Sequence, residues 1–410
     1  MKITRLVGVG GATLLATVFI PACGSSDSND DSSSTAASAN KATGSPVKVM
    51  MLLDESEAAN VHLDEARAGA EARVKRINES GGLGGSGRPV EVTYCQTKLD
   101  PNAANDCARK AAKDPAIVAT VGSVVSEDVG DILNSAGLAN VMALPFTTSD
   151  FSLPNSFPAI GGPIAGGGMA TIAAKDLGAK KINCGAVQLP GSQEAVQLQN
   201  AALASNGSKP LTKVVQIPAT ASDVSSQVSA MADGADAVTT VVHPAQLQQI
   251  LLARQQLGIK VPFVGASTAV TADVLKTLGP AADGLLLQGF FPTDDIDLPG
   301  NTAFTADMEA AGSQDETGDL AKADWVAFDL FDHALKGEKT FTRASVMKAL
   351  NGVTDYDAGG LTPVLDFTRS GADPKFPRLV NLTYFSSKID NGKVVSAGSG
   401  KLELIYGEAR

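Results

Sequence analysis

The stretch ARAGAEARVKRINESGGLGGSGRPVEVTYCQTKLDPNAANDCARKAAKD, residues Ala66–Asp114, decides the fold. Its first part carries apolar residues at helical spacing and ends at a Gly-Gly pair, which predicts an amphipathic helix. PVEVTYC then predicts a strand, and Asp100 followed by Pro101 predicts the cap and first residue of a second helix. A strand between two such helices indicates one unit of a parallel α/β sheet.

The same alternation continues on both sides of this stretch. VKVMMLL precedes it as a strand, and IVATVG and ANVMALP follow it as strands separated by a short helix. After FPAIGGP the pattern restarts, with predicted strands KKINCGAVQ, LTKVVQIP, DAVTTVVH and VPFVGAS separated by helices. The sequence therefore predicts an α/β protein with two doubly wound parallel-sheet lobes. Because ligands of open parallel sheets bind beyond the carboxyl ends of the strands, we expect a cleft between the lobes.

Composition limits the classes of function. The formal net charge of -11 disfavours nucleic acid as a partner, and aromatic residues at 5% disfavour an aromatic-rich all-β lectin. The histidines His62, His243 and His333 lie far apart, outside any metal-binding motif. No nucleophile elbow, phosphate-binding loop or dinucleotide fingerprint occurs. We therefore expect no metal, no cofactor and no enzymatic activity.

The first residues predict export. Lys2 and Arg5 precede an uncharged apolar run, which ends at Ala22 and Cys23. This order is typical of a secretory signal over residues 1–22, and the alternative is an uncleaved membrane anchor. Ser, Asp and Asn dominate the chain from Cys23 to residue 46, and this composition predicts a flexible stalk.

Export also bears on the other cysteines. Cys95 and Cys107 lie close together in sequence, and an oxidising compartment favours a disulfide between them. The alternative is two buried thiols. Cys184 has no partner left and is expected to be a buried free thiol.

Several motifs carry a resemblance to a known family. In order, they are Gly69 with Ile77-Asn78 and GGLGG, the helix opened by Asp100-Pro101, TVGSVVSED, VMALPFTTSD, VHPAQLQQILLARQQLGIKVPFVGAS and DWVAFDLFDHALKG. Together they resemble the branched-chain amino acid receptor family of ABC importers, which has the type I periplasmic binding-protein fold. IPAC before Gly24 resembles a bacterial lipobox, which implies that Cys23 is acylated, palmitate being one expected chain.

The resemblance implies lobes built from interrupted segments. Lobe I would comprise residues 47–158 and 292–362, and lobe II residues 159–291 and 363–410. Three hinge segments would join the lobes, at Pro158–Gly162, Gly289–Pro292 and Asp357–Pro363.

The resemblance also implies a ligand site. In this family, hydroxyl and backbone N–H groups on the first lobe hold a carboxylate of the ligand, and helix N-termini favour such an anion. The matching residues are Ser126, Thr147 and Thr148, with Ser123 at the same predicted helix start. The alternative is that these hydroxyls only cap helices. Phe146, with Phe290 or Phe291, is expected to form apolar walls.

The second lobe departs from the amino acid pattern. Ala266 stands where an acidic group would pair with an ammonium group, and a buried ammonium without a carboxylate is costly. Asp54, Glu55 or Glu57 would have to supply that charge, or else only cap the following helix. His243 is expected at a strand end facing the cleft, or as a turn residue before proline.

The sequence thus predicts a monomeric solute receptor, lipid-anchored on the extracytoplasmic face of the cell membrane. It would capture a small, carboxylate-bearing solute and deliver it to an ABC permease. The alternatives are a sensor or protein-interaction module of the same fold and, least favoured, an exported hydrolase.

Overall fold

A computed structural model describes residues 41–57, 61–371 and 373–407 of the chain. The predicted signal segment and most of the predicted stalk, Cys23 included, lie outside the described residues. None of the described helices is long and apolar enough to cross a membrane. The described body contains two β-sheets with helices packed against them.

The first sheet is parallel and has the strand order β2-β1-β3-β4. β3 is buried along its whole length, as expected for a strand covered by helices on both faces. Along the chain the elements of this part are β1 (Val47–Leu53), α1 (Asp64–Glu79), β2 (Val90–Gln96), α2 (Pro101–Lys113), β3 (Ile117–Val124), α3 (Gly130–Ser135), β4 (Ala139–Leu144) and α4 (Thr148–Ser152).

The second sheet has the order β11-β10-β9-β8-β7-β5-β6, with β12 paired to β10. Strands β5 to β9 are parallel, and the first four of them are the strands predicted from the sequence. β10 pairs antiparallel with β9, and both β11 and β12 pair antiparallel with β10. Its elements are α5 (Gly167–Lys175), β5 (Ile182–Val187), α6 (Pro190–Ser205), β6 (Lys213–Ile217), α7 (Ser225–Ala232), β7 (Ala237–Val241), α8 (Pro244–Gln256), β8 (Phe263–Ala266), α9 (Ala272–Leu278), β9 (Leu286–Gly289), β10 (Thr383–Asp390), β11 (Lys393–Ser396) and β12 (Glu403–Leu404).

Three further helices return to the first sheet, as α10 (Pro299–Ala311), α11 (Asp319–Ala334) and α12 (Arg343–Asn351). Helix α11 packs on α1, β3 and β4. The Arg343 guanidinium donates hydrogen bonds to carbonyl groups around the ends of α2 and β3, including those of Ile117 and Ala136. Helices from a second, later stretch of chain therefore pack on the first sheet.

The last crossing between the lobes lies later than predicted. Residues 363–379, expected in lobe II, pack on lobe I, where Phe367 contacts Phe157 at a ring-centroid distance of 5.4 Å. Arg378 donates from Nε to the Ser156 carbonyl at 2.7 Å. The chain rejoins the second sheet at β10. The turn-rich composition of 363–379 suggested hairpins, but burial of Phe367 and the edge-on contact of Phe376 with Phe151 keep the segment with the first lobe.

Two cysteine predictions are confirmed. Cys95 in β2 and Cys107 in α2 form a disulfide, and Cys184 in β5 is a buried free thiol. The disulfide joins a strand and the helix that follows it, close to the carboxyl edge of the first sheet.

Candidate functional site

The carboxyl ends of β1 and β3 form a crevice in the first lobe. β2 lies on one side of β1 and β3 lies on its other side. The direction in which the chain adds strands to the sheet therefore reverses between the neighbouring strands β1 and β3. Such a reversal opens a crevice at the carboxyl edge of the sheet. Asp54 directly follows β1, and Ser126 lies two residues beyond β3.

Asp54 joins these two strand ends. Its Oδ2 atom accepts hydrogen bonds from the Ser126 backbone N–H at 2.7 Å and from the Ser126 hydroxyl at 2.5 Å. Its Oδ1 atom accepts a hydrogen bond from the Thr97 hydroxyl. Asp54 is buried whereas Ser126 is exposed, so the Asp54 carboxylate fixes the loop after β3 from its buried side.

A second carboxylate occupies the end of β4. Asp150 Oδ2 accepts hydrogen bonds from the backbone N–H groups of Phe146 at 2.9 Å and Thr147 at 2.8 Å. Burial raises the pKa of Asp150, although these hydrogen bonds act in the opposite direction. Ser149 donates its hydroxyl proton to Asp128 at 2.5 Å, and the Thr147 and Ser149 hydroxyl oxygens lie 2.9 Å apart.

The other residues predicted for the site are more scattered. Ser123 lies inside β3, not at a helix start, and its buried hydroxyl oxygen accepts the Leu52 backbone N–H. Thr148 is exposed as the first residue of α4. Phe146 is exposed just beyond β4. His243 is an exposed cap of α8, and its backbone N–H donates to Gln246 Oε1 at 3.2 Å.

Glu55 and Glu57, considered as sources of negative charge, have partners of their own. Arg67 binds Glu55 through two hydrogen bonds, of 2.7 Å and 2.5 Å, and stacks over Tyr94. The hydrogen bond from Arg67 lowers the pKa of Glu55 despite its burial. Glu57 is exposed, 4.0 Å from His62.

A larger cleft of about 840 Å³ opens beside the carboxyl end of β8. Its lining includes Glu65 of α1, Asp319 and Lys322 of α11, and Ser267, which follows β8. Asp319 Oδ2 accepts hydrogen bonds from the Ser267 hydroxyl and from the Phe290 backbone N–H. An acidic group therefore does reach the end of β8, although from a different segment than the one containing Ala266.

The charges in this cleft are mostly negative. Burial raises the pKa of Glu65 to about 7, and the nearby carboxylates of Glu316 and Asp319 act in the same direction. Burial also raises the pKa of Asp319. Lys322 is directed to Asp294, at 2.7 Å, and to the Pro292 carbonyl, also at 2.7 Å. Neither Glu65 nor Asp319 was singled out from the sequence, because both are polar residues at the start of helices.

Comparison with known proteins agrees with this architecture. A profile of the periplasmic binding protein family matches residues 46–378. The chain belongs to the periplasmic binding protein family. The resemblance to this family and the two-lobed type I fold expected from the sequence are confirmed.

Solved structures of other periplasmic binding proteins share the fold at low sequence identity. A leucine binding protein from Thermotoga maritima is 17% identical, with a TM-score of 0.70 over 86% of this chain and 98% of that chain. A fatty acid ABC transporter substrate-binding protein from Thermomonospora curvata is 18% identical, with a TM-score of 0.73 over 90% and 96%. An isoleucine complex of a branched-chain amino acid transporter substrate binding protein from Streptococcus pneumoniae is 16% identical, with a TM-score of 0.68 over 87% and 99%. None of the curated proteins matches the sequence significantly.

Proposed function

We propose that this periplasmic binding protein is an extracytoplasmic receptor that captures one small solute between its lobes and delivers it to an ABC permease. The observation that carries the proposal is the family match over residues 46–378, together with a cleft at the carboxyl ends of the strands. In this mechanism the lobes close around the solute by a hinge motion, and contacts from both lobes stabilise the closed form. The protein acts as a monomer.

Attachment to the membrane is part of the same proposal. Acylation of Cys23 would hold the folded body at the extracytoplasmic face through the stalk, and anchoring needs more than one acyl chain. A sensor of the same fold without transport is the second candidate, because hinge closure can signal to a membrane partner as well as deliver a solute. An exported hydrolase is the least favoured candidate, since the matched family consists of solute-binding receptors.

The related proteins are a leucine binding protein, a transporter protein in complex with isoleucine and a fatty acid transporter protein, and these three solutes are carboxylic acids. They agree with the carboxylate-bearing solute expected from the sequence. In this chain, however, both hydrogen-bond donors of Ser126 are already bound by Asp54.

A thermal-shift screen of the full chain in detergent tests the function. We expect one class among amino acids, amides, amines, sugars and short acids to raise the melting temperature, because a ligand that binds only the folded state stabilises it. Thr148→Ala is expected to weaken that binding about tenfold, since the exposed Thr148 hydroxyl lies at the start of α4, beyond the carboxyl end of β4.

Thr340→Ala on the opposite side of lobe I is the matched control, and its solute affinity should equal that of the wild type. The absence of any shift across all classes would contradict a solute receptor. Chemical turnover of a binding solute would instead support the hydrolase.

A further inference from the structure

The only two hydrogen-bond donors of Ser126 are held by a carboxylate of the chain itself. A serine offers one backbone N–H and one hydroxyl proton, and both go to Asp54 Oδ2, at 2.7 Å and 2.5 Å. Asp54 is only 6% exposed, so its carboxylate is largely shielded from water. A solute carboxylate that approached Ser126 would find neither donor free.

The neighbouring strand end repeats this arrangement. The backbone N–H groups of Phe146 and Thr147 both donate to Asp150, and the Ser149 hydroxyl donates to Asp128. Beyond the carboxyl ends of β3 and β4, these donors are therefore bound by carboxylates of the chain itself.

The acidic side chains at this edge also disfavour a solute carboxylate. Within the described part of the chain, Asp54, Asp128 and Asp150 form no ion pair with lysine or arginine. Ionised aspartates repel a solute carboxylate, whereas an uncharged group is not repelled and a cation is attracted. The net charge of -11 adds to this preference.

We propose that Asp54 is the residue that sets solute specificity, because its carboxylate takes the place that a solute's carboxylate would occupy at Ser126. The receptor then selects uncharged or cationic solutes that lack a carboxylate. This inference rests on the proposed function, and it replaces the carboxylate-bearing solute expected from the sequence.

Chemical rescue by formate tests the place of Asp54 without knowledge of the solute. Asp54→Ala leaves the Ser126 and Thr97 donors unbound, and we expect a lower melting temperature for the full chain. Sodium formate should recover at least about half of that loss, compared with sodium chloride at equal ionic strength. Wild type should respond alike to the two salts. The double variant Asp54→Ala with Ser126→Ala should respond to formate less than Asp54→Ala alone, because it lacks the hydroxyl donor.

Matched pairs of solutes test the selection itself. Leucine with leucinamide, and isovaleric acid with isovaleramide, differ only in the carboxylate. We expect wild type to bind the amides and not the acids, and Asp54→Ala to gain at least about tenfold in affinity for the acids. Asp54→Asn removes the charge at nearly constant volume, so it tests the same gain should Asp54→Ala fail to fold.

The outcomes of these experiments distinguish the proposed role of Asp54 from the proposed receptor function. Acid binding by wild type that weakens in Asp54→Ala would overturn the role of Asp54 and leave the receptor function standing. Equal effects of formate and chloride on Asp54→Ala would also overturn it. A wild type that binds no compound of any class would contradict the proposed function instead.

Discussion

Asp324 shows what complete burial does to a single acidic residue. Its side chain is fully buried on α11, and neither carboxylate oxygen has a hydrogen-bond partner among the described residues. It lies under β3, where a methyl group added to Gly122 would come within 2.7 Å of Oδ1. Burial raises the pKa of Asp324 well above its usual range, because the ionised form would lose its hydration. Burial therefore favours the neutral, protonated form of the Asp324 carboxyl.

We expect infrared spectra in deuterated buffer at neutral pH to contain the carbonyl band of a protonated carboxylic acid that is lost in Asp324→Asn. The amide is also neutral and nearly the same size, so folding should be retained, with a change in unfolding free energy of no more than about 2 kcal/mol. Glu309→Gln, at an exposed position of α10, should leave the band unchanged. A band of equal intensity in wild type and Asp324→Asn would show that Asp324 is ionised.

At the scale of elements, the close approach of α1 and α11 depends on one small residue. A methyl group placed on Gly69 would lie 2.0 Å from the Ala321 carbonyl oxygen. Since the obstructing atoms belong to the backbone of α11, a side chain at this position can be accommodated only if the two helices separate. The helix pattern of Ala66–Asp114 predicted α1 correctly, but its partner helix is more than two hundred residues away in sequence.

Gly69→Ala should lower the free energy of unfolding by about 1–3 kcal/mol or more through overpacking, despite the better helix propensity of alanine. Gly191→Ala is the matched control, because Gly191 is also helical, in α6, and has no heavy atom within 4 Å of the added methyl group. That control should be neutral or stabilising by up to about 1 kcal/mol. Urea denaturation, followed by the fluorescence of the single tryptophan, measures the free energy of unfolding of both variants. Equal stability of the two variants would contradict the close packing.

At the scale of the whole molecule, the start of α11 ties the two lobes together. Asp319 accepts hydrogen bonds from Ser267 beside β8 and from Phe290 at the crossing after β9. Glu65, from the start of α1, packs against the backbone of Gly318. The carboxyl groups of Glu65 and Asp319, from two distant stretches of the chain, thus both line the cleft, where their protonation affects the stability of the whole body.

Glu65 should make the protein less stable as the pH rises from about 5 to 7. Its folded-state pKa of about 7 exceeds the unfolded value of 4.5, so the protonated acid favours folding below that range and the advantage is lost as Glu65 ionises. Glu65→Gln should flatten this part of the pH dependence, measured as urea midpoints at several pH values. Glu57→Gln, at an exposed position of the same region, should leave this pH dependence unchanged. An unchanged slope in Glu65→Gln would contradict a protonated Glu65.

The alternation of strands and helices, the two sheets and the disulfide were predicted from the sequence, because each depends on periodicity or on spacing within a few tens of residues. The third crossing between the lobes was misplaced, since Phe367 and Phe376 find their aromatic partners more than two hundred residues earlier in the chain. Turn-forming residues indicate where a chain bends, but not which surface it then covers.

The sequence by itself determined the fold class and the family, and it brought Ser126 and Thr148 forward as candidate ligand contacts. Only the tertiary structure decided what those residues bind. Asp54 and Ser126 are 72 residues apart, and they meet because parallel strands β1 and β3 end at the same edge of the sheet. A hydrogen-bond donor has the same appearance in a sequence whether it is free or bound. The folded chain alone decides whether a donor is left for a solute.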